Sequence, residues 1–411
     1  MKNWIRLQYV LGFGETFHLA ELLKRFKTPE GILSAKDKEL ASFGLTKTQL
    51  KRLHSISDKY AEKIIKQCQD NNIWIIPYSS TDFPSKLMNM EAPPVVIYGI
   101  GEKPSFDDIL TIGVVGTRKI SEYGKKAAFS LSARLALTKA TIVSGDAIGG
   151  DTFAHLGALA VNGKTIAVTG GGFLGGYLKA SENLRQRILK HGGTLISEFT
   201  PDYVPRYKNS FHIRNRILAA LCDSVAVIEA PASSGAVITG NMAMEMGRDI
   251  YALPGKPTEP QYEGTNNLIN QGASVLISPV QMIENYIYKY NNLDINRIKL
   301  INNEKLSELY KIFSEKQENK QKLKVKKKKT LERKVQEKIV EISRKLDKKR
   351  EEASLSGNSL LVYKAFEKEE MLSDEIIEKT NLSSAEVIKE LTLLEIKGII
   401  EALPGSRYKL S

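Results

Sequence analysis

Apolar positions change their spacing several times along the chain, and each change predicts a different kind of element. Over residues 1–75 they recur at helical spacing between short Gly or Pro breaks, at Trp4–Leu11, Leu19–Phe26, Ile32–Phe43 and Leu50–Gln69. This predicts a small helical domain. Residues 76–105 hold short apolar runs broken by proline, such as Pro93-Pro94-Val-Val-Ile-Tyr-Gly99, and read as a connector with a few edge strands. From 109 the pattern becomes apolar run, glycine turn, amphipathic stretch. The predicted strands are 109–115, 141–144, 165–169, 194–198, 224–229, 250–253 and 274–277. Helices are predicted near 121–138, 151–162, 182–191, 213–221, 236–247 and 264–271.

Continuous apolar strands separated by amphipathic helices predict a parallel sheet covered on both faces. The fold class is therefore α/β, a doubly wound, mostly parallel Rossmann-like sheet over residues 106–290. Ligands of such sheets bind where the carboxyl ends of strands enter the helices. Residues 291–357 are rich in Lys, Glu and Asn, with Val335, Ile339, Ile342 and Leu346 at helical spacing. They predict a long exposed helix or a disordered tether. Residues 358–411 return to a compact pattern: helices at 360–366, 374–380 and 385–397, then two short strands around a turn. That outline is winged-helix-like.

Composition changes this picture in two respects. Two cysteines, Cys68 and Cys222, stand far apart among apolar neighbours, and read as buried thiols of a reducing compartment. With no signal-peptide pattern and no apolar run long enough to span a bilayer, the expectation is a cytoplasmic protein without membrane contact. The formal net charge is +13, but residues 301–350 carry +10 of it, from 18 basic and 8 acidic groups. Basicity thus belongs to one segment and is not evidence for a nucleic-acid site in the α/β domain.

The loops at the strand ends carry the candidate chemistry. Gly116-Thr117-Arg118 closes the first strand, with a helix opening at Ser121; a glycine turn, a hydroxyl and a guanidinium suit an anion held by backbone amides and a helix N-terminus. Ser144-Gly145 begins the second loop, where Asp146 and Asp151 oppose an anion and Asp151 also reads as a helix cap. Asp151 and His155 have the i, i+4 spacing of metal ligands, but no third ligand stands near them, and helix packing is the better reading. Gly170–Gly175 formally matches the dinucleotide fingerprint G-x-G-x-x-G, outside the first βα unit where it belongs. The segment Tyr207–Arg216 interleaves Lys208, Phe211, Arg214 and Arg216, the mixture of charge and aromatic faces that grips single strands without reading sequence. Arg214 and Arg216 can equally pair with Glu198 or Glu229. Two further loops, Ser233–Thr239 and Pro254–Asn267, place small and hydroxyl residues at helix starts, suited to backbone-amide contacts with phosphate or ribose.

Taken in order, V-G-T-R-x-x-S-x-Y-G from Val115, S-G-x-A-x-G-x-D-x-x-A-H from Ser144, G-x-T-I-A-V from Gly163, S-E-F at Ser197, F-x-x-R-N-R-I from Phe211, S-G-x-x-x-T from Ser234 and P-G…G-T-N-x-L-I-x-x-G-A from Pro254 resemble the DNA-processing protein A family. The resemblance covers about residues 113–275. It implies a non-enzymatic protein that dimerises through the Rossmann-like domain, binds and protects incoming single-stranded DNA in natural transformation, and loads a RecA-type recombinase onto it. It implies no catalytic residue, cofactor or metal. The implied DNA-binding residues are Gly116, Thr117, Arg118, Ser144, Gly145, Lys208, Phe211, Arg214 and Asn215. The chain departs from the family where Ile148 replaces an Arg, Asp146 an apolar residue and His212 a Pro. If both face the strand, the first two changes weaken phosphate binding by ~1–3 kcal/mol.

Two other readings follow from the same loops. One is a nucleotide-processing, phosphoribohydrolase-like enzyme with Asp146, Asp151, Glu198 or Glu229 as acid or base. The other is dinucleotide binding at Gly170–Gly175. The C-terminal module, with 7 basic and 10 acidic groups over 359–411, is expected to contact protein and not a DNA groove.

Overall fold

The computed structural model describes residues 1–176, 181–205, 209–318, 355–368 and 370–410. The chain divides into two compact units, residues 1–323 and 324–411. In the first, nine strands form one sheet: β1 (Ile73–Pro77), β2 (Val96–Gly101), β3 (Thr111–Val115), β4 (Thr141–Gly145), β5 (Thr165–Val168), β6 (Thr194–Ser197), β7 (Ser224–Val227), β8 (Asp249–Ala252) and β9 (Ser274–Val275). Their order is β1-β2-β6-β5-β4-β3-β7-β8-β9. Neighbours from β6 to β9 are parallel, and β1 and β2 add an antiparallel edge.

Strands β3 to β7 are buried along their whole length, as unbroken apolar runs require when helices cover both faces. Helices α8 (Glu122–Leu137), α9 (Gly150–Ala160) and α10 (Glu182–Lys190) follow strands that step one way from β3. Helices α11 (Asn209–Leu221), α12 (Gly235–Glu245) and α13 (Glu263–Asn270) belong to the half that steps the other way. The first three pack on one face and the last three on the other. The order therefore reverses between β3 and β7, so the loops after these two strands open a crevice.

Six short helices precede the sheet: α1 (Lys2–Leu11), α2 (Leu19–Phe26), α3 (Pro29–Leu33), α4 (Asp37–Ser42), α5 (Lys47–Ser55) and α6 (Asp58–Asp70), and α7 (Ser85–Met88) lies between β1 and β2. The stripe at 32–43 is split, and the stripe at 50–69 breaks where Ile56 turns extended. Their core of Ile5, Leu7, Leu19, Leu22 and Ile64 continues into Val96 and Tyr98 of β2. The proline-broken stretch thus brings the helices against the sheet edge. At the other end of the strands, buried Asp223 accepts from Lys86 (2.5 Å), Thr111 N–H (3.1 Å) and Tyr290 (2.8 Å), fastening α7 and residues 280–290 to the sheet.

The expectation of an exposed helix or tether from 291 is corrected at its start. Residues 303–318 form α14, which lies on α8 and α9. Leu306, Leu309, Tyr310 and Phe313 bury one helical face, with the Tyr310 ring 5.5 Å from Phe129. Residues 319–354 lie outside the described residues.

The second unit holds α15 (Asn358–Lys364), α16 (Ser373–Thr380) and α17 (Ser384–Ile396) with strands β10 (Glu370–Leu372), β11 (Ile400–Leu403) and β12 (Arg407–Leu410). The strands form an antiparallel sheet ordered β10-β12-β11, one strand more than the sequence predicts. This is a winged-helix arrangement around Val362, Ile376, Val387, Leu391 and Leu394. On α17, Ile388 and Ile396 are exposed, as are Glu386 and Glu395. No helix among the described residues is long and apolar enough to cross a membrane.

Candidate nucleic-acid interface

The crevice at the strand-order reversal contains a pocket of about 280 Å³. Three elements build it. The β3–α8 turn contributes Gly116, Thr117 and Arg118; α11 contributes Phe211, Arg214, Asn215 and Leu218; the start of α12 and the turn before it contribute Ser233, Ser234, Gly235 and Thr239. Ala147 and Asp151 close the wall on the β4–α9 side.

The β3–α8 turn is held from beneath by Glu229, just past β7. Its carbonyl accepts Thr117 N–H (2.7 Å) and its buried carboxylate accepts Ser121 N–H (2.6 Å). Lys119 N–H goes to Thr117 Oγ1 (3.3 Å), and Gly150 N–H reaches the Thr117 carbonyl (3.1 Å). The Thr117 and Lys119 amides are thus engaged within the fold. The cation that this turn presents to the pocket is the exposed Arg118 side chain, whose guanidinium lies over the Phe211 ring at 5.2 Å.

Helix α11 begins at Asn209, four residues before the predicted start, so Phe211 is helical and not in a loop. Residues 211, 214, 215 and 218 then share one helical face, and that face lines the pocket. Gly170 makes room for the ring, since a Cβ there would lie 2.9 Å from Phe211 Cδ1. Asn215 spans the pocket floor: its Oδ1 accepts from Arg214 Nε (2.9 Å) and its Nδ2 donates to the Gly235 carbonyl (3.3 Å).

Buried Arg214 donates to the Val168 carbonyl (2.6 Å) and lies 3.6 Å from Asp146. Asp146 is buried, accepts from Arg185 at 2.6 and 3.2 Å, and does not line the pocket. It therefore faces a guanidinium on α10 and not a bound strand, so its half of the expected loss in phosphate affinity does not arise in this way. Ile148 is exposed. Ser144 and Gly145 stand behind the wall. Ser144 donates to the Val114 carbonyl (2.6 Å), and a Cβ on Gly145 would collide with Asp151 and Arg214. Lys208 lies outside the described residues.

The carboxylates that kept an enzyme in view are mostly committed elsewhere. Glu198 pairs with Arg216, and Glu229 and Asp146 are held as above. Asp151 alone among them lines the pocket; burial, opposed by Arg214, pushes its carboxyl up to about 6. His155 is a packed core residue: Nε2 donates to the Gly145 carbonyl (2.7 Å), Nδ1 accepts the Thr165 hydroxyl (2.7 Å), and burial pushes it down to about 4. Among the described residues no group of three His, Cys, Asp or Glu could hold a metal ion. The glycine fingerprint is spent on packing. Gly172 N–H and Leu174 N–H donate to the carbonyls of Tyr203 (2.9 Å) and Pro201 (2.8 Å).

The α12 side of the pocket, with Ser233, Ser234, Gly235 and Thr239, was legible as a hydroxyl-rich helix start suited to phosphate, but not as the wall facing Arg118. Only the pairing of β3 with β7 brings it opposite Arg118.

A family model described as DNA recombination-mediator protein A matches residues 57–287, more than half of the chain. The chain belongs to the DNA recombination-mediator protein A family. A second model, the DprA winged helix domain, matches residues 347–406. Among similar family members, Protein Smf of Synechocystis sp. (strain PCC 6803) is 32% identical over 286 residues, 68% of this chain and 71% of that protein. Protein Smf of Escherichia coli (strain K12) is 36% identical over 246 residues, covering 60% of this chain and 65% of its own length. In structure, the chain is similar to DNA processing protein A from Streptococcus pneumoniae, with a TM-score of 0.59 and 29% identity over 70% of this chain and 98% of that one.

Proposed function

We propose that this family member binds single-stranded DNA through the α/β pocket and acts as a recombination mediator. One observation carries the reading: an exposed guanidinium and an aromatic ring meet at 5.2 Å beside a pocket at the strand-order reversal. The guanidinium suits a phosphate, and the ring offers a face on which a base stacks only when it is free of a duplex partner. Lys208, three residues before Phe211, adds charge to the same segment. Family membership supports the wider role: protecting an incoming strand in natural transformation, loading a RecA-type recombinase, and acting as a homodimer through the α/β domain.

Oligo(dT) anisotropy across a salt series tests the pocket. Arg118→Ala is expected to lower affinity about tenfold and to reduce the slope of log affinity against log salt by about 0.7. Lys208→Ala is expected to do the same, and unchanged binding in both variants overturns the site. For the wider role, recombinase assembly on a strand already coated with single-strand-binding protein is expected to speed up with the wild-type chain and not with Arg118→Ala.

A further inference from the structure

The turn after α1 reaches across the sheet edge to the segment that carries Phe211. Half-buried Phe13 sets its ring against Phe199 (centroids 4.8 Å) and Tyr203 (5.3 Å) in edge-on geometry, while Phe199 and Tyr203 stack at 4.5 Å. The Tyr203 hydroxyl lies 3.1 Å from the hydroxyl of buried Ser210, the residue before Phe211. Gly14 adds a second attachment. Its N–H donates to Glu198 Oε1 (3.2 Å), and Glu198 pairs with Arg216 on α11. A Cβ on Gly14, whose φ is +73°, would lie 3.1 Å from Ile213. From α6, Lys63 and Gln67 hold Asp202 at 2.7 and 3.3 Å. The first turns of α11 are thus gripped from outside the α/β domain, on the side away from the pocket.

We infer that the N-terminal helices act as a bracket that positions the strand-gripping face of α11, with Phe13 as its positioning residue. The inference rests on the single-stranded DNA reading of the pocket. Phe13 does not line the pocket; it holds Tyr203, and through it Ser210, in the place that sets Phe211 beneath Arg118. Loss of its ring lets the start of α11 move, so binding weakens although every pocket residue is intact.

The test measures oligo(dT) affinity of the full chain by anisotropy. Phe13→Ala is expected to bind about tenfold more weakly and Phe13→Tyr within about twofold of wild type, because tyrosine restores the edge-on ring. In a Phe211→Ala background, Phe13→Ala is expected to cost less than about twofold further, since the ring it positions is gone. An equal loss with and without Phe211 means general loosening and overturns the inference. Wild-type binding by Phe13→Ala beside weakened binding by Arg118→Ala overturns the inference and leaves the pocket reading standing. Wild-type binding by both variants overturns the pocket reading as well. Should Phe13→Ala fail to fold, Phe13→Leu keeps the burial, removes the ring edge and is read against the same outcomes.

Discussion

Asp146, in the loop after β4, and Asp151, in the first turn of α9, stand five residues apart, and both read in the sequence as carboxylates opposing an anion. The fold separates them. Asp146 turns inward to Arg185 and Arg214, so its removal takes a buried carboxylate away from two buried guanidiniums. Asp146→Ala is expected to destabilise the protein by about 3–5 kcal/mol in urea unfolding, an effect on stability before any effect on binding. Asp151 faces the pocket with its carboxyl raised to about 6. A bound phosphate therefore meets a neutral group below that pH and a like charge above it. Oligo(dT) affinity is expected to fall as pH rises through about 6, and Asp151→Asn to flatten that part of the profile in anisotropy titrations. The stability contribution has the same sign: it is present below the ordinary aspartate range and lost as pH rises through the raised value.

At the scale of elements, α11 shows what pattern reading misses. Its first turn, Asn209-Ser-Phe-His, has no strong helical signal in the sequence. It becomes helical where Ser210 meets Tyr203 and Phe211 lies against Gly170. Glycines that match a dinucleotide motif on paper serve here as clearance for a ring and for crossing backbone. Gly170→Ala is expected to push the Phe211 ring outward and weaken oligo(dT) binding several-fold while leaving the circular dichroism spectrum unchanged. Gly145→Ala is expected to do more, because its methyl group meets Asp151 and Arg214 together; a lowered midpoint in thermal unfolding should accompany the loss of binding.

For the whole molecule, charge and site are separate. Most of the net positive charge lies in residues 301–350, whereas the pocket opposes two guanidiniums to one carboxylate. If the basic segment contacts the strand as an unspecific arm, replacing Lys326–Lys329 by Ala lowers the salt slope by up to about 3, from four contacts at about 0.7 each. The loss caused by Arg118→Ala should persist in that background. An unchanged slope would assign the segment another role.

The alternation of apolar runs, glycine turns and amphipathic stretches determined the α/β class, the position of most strands to within a few residues, and the end of the sheet where the loops gather. Local chemistry accounts for that legibility: burial on both faces demands uniform apolar strands, and a turn into a helix demands glycine and a hydroxyl cap. The arrangement of the site was decided by the tertiary structure. Pairing β3 with β7 sets Ser234 and Thr239 opposite Arg118, although more than 100 residues separate them. The same packing assigns Arg214 to the pocket wall and Arg216 to Glu198, two guanidiniums that are interchangeable in the sequence and point apart on a helix turning ~100° per residue.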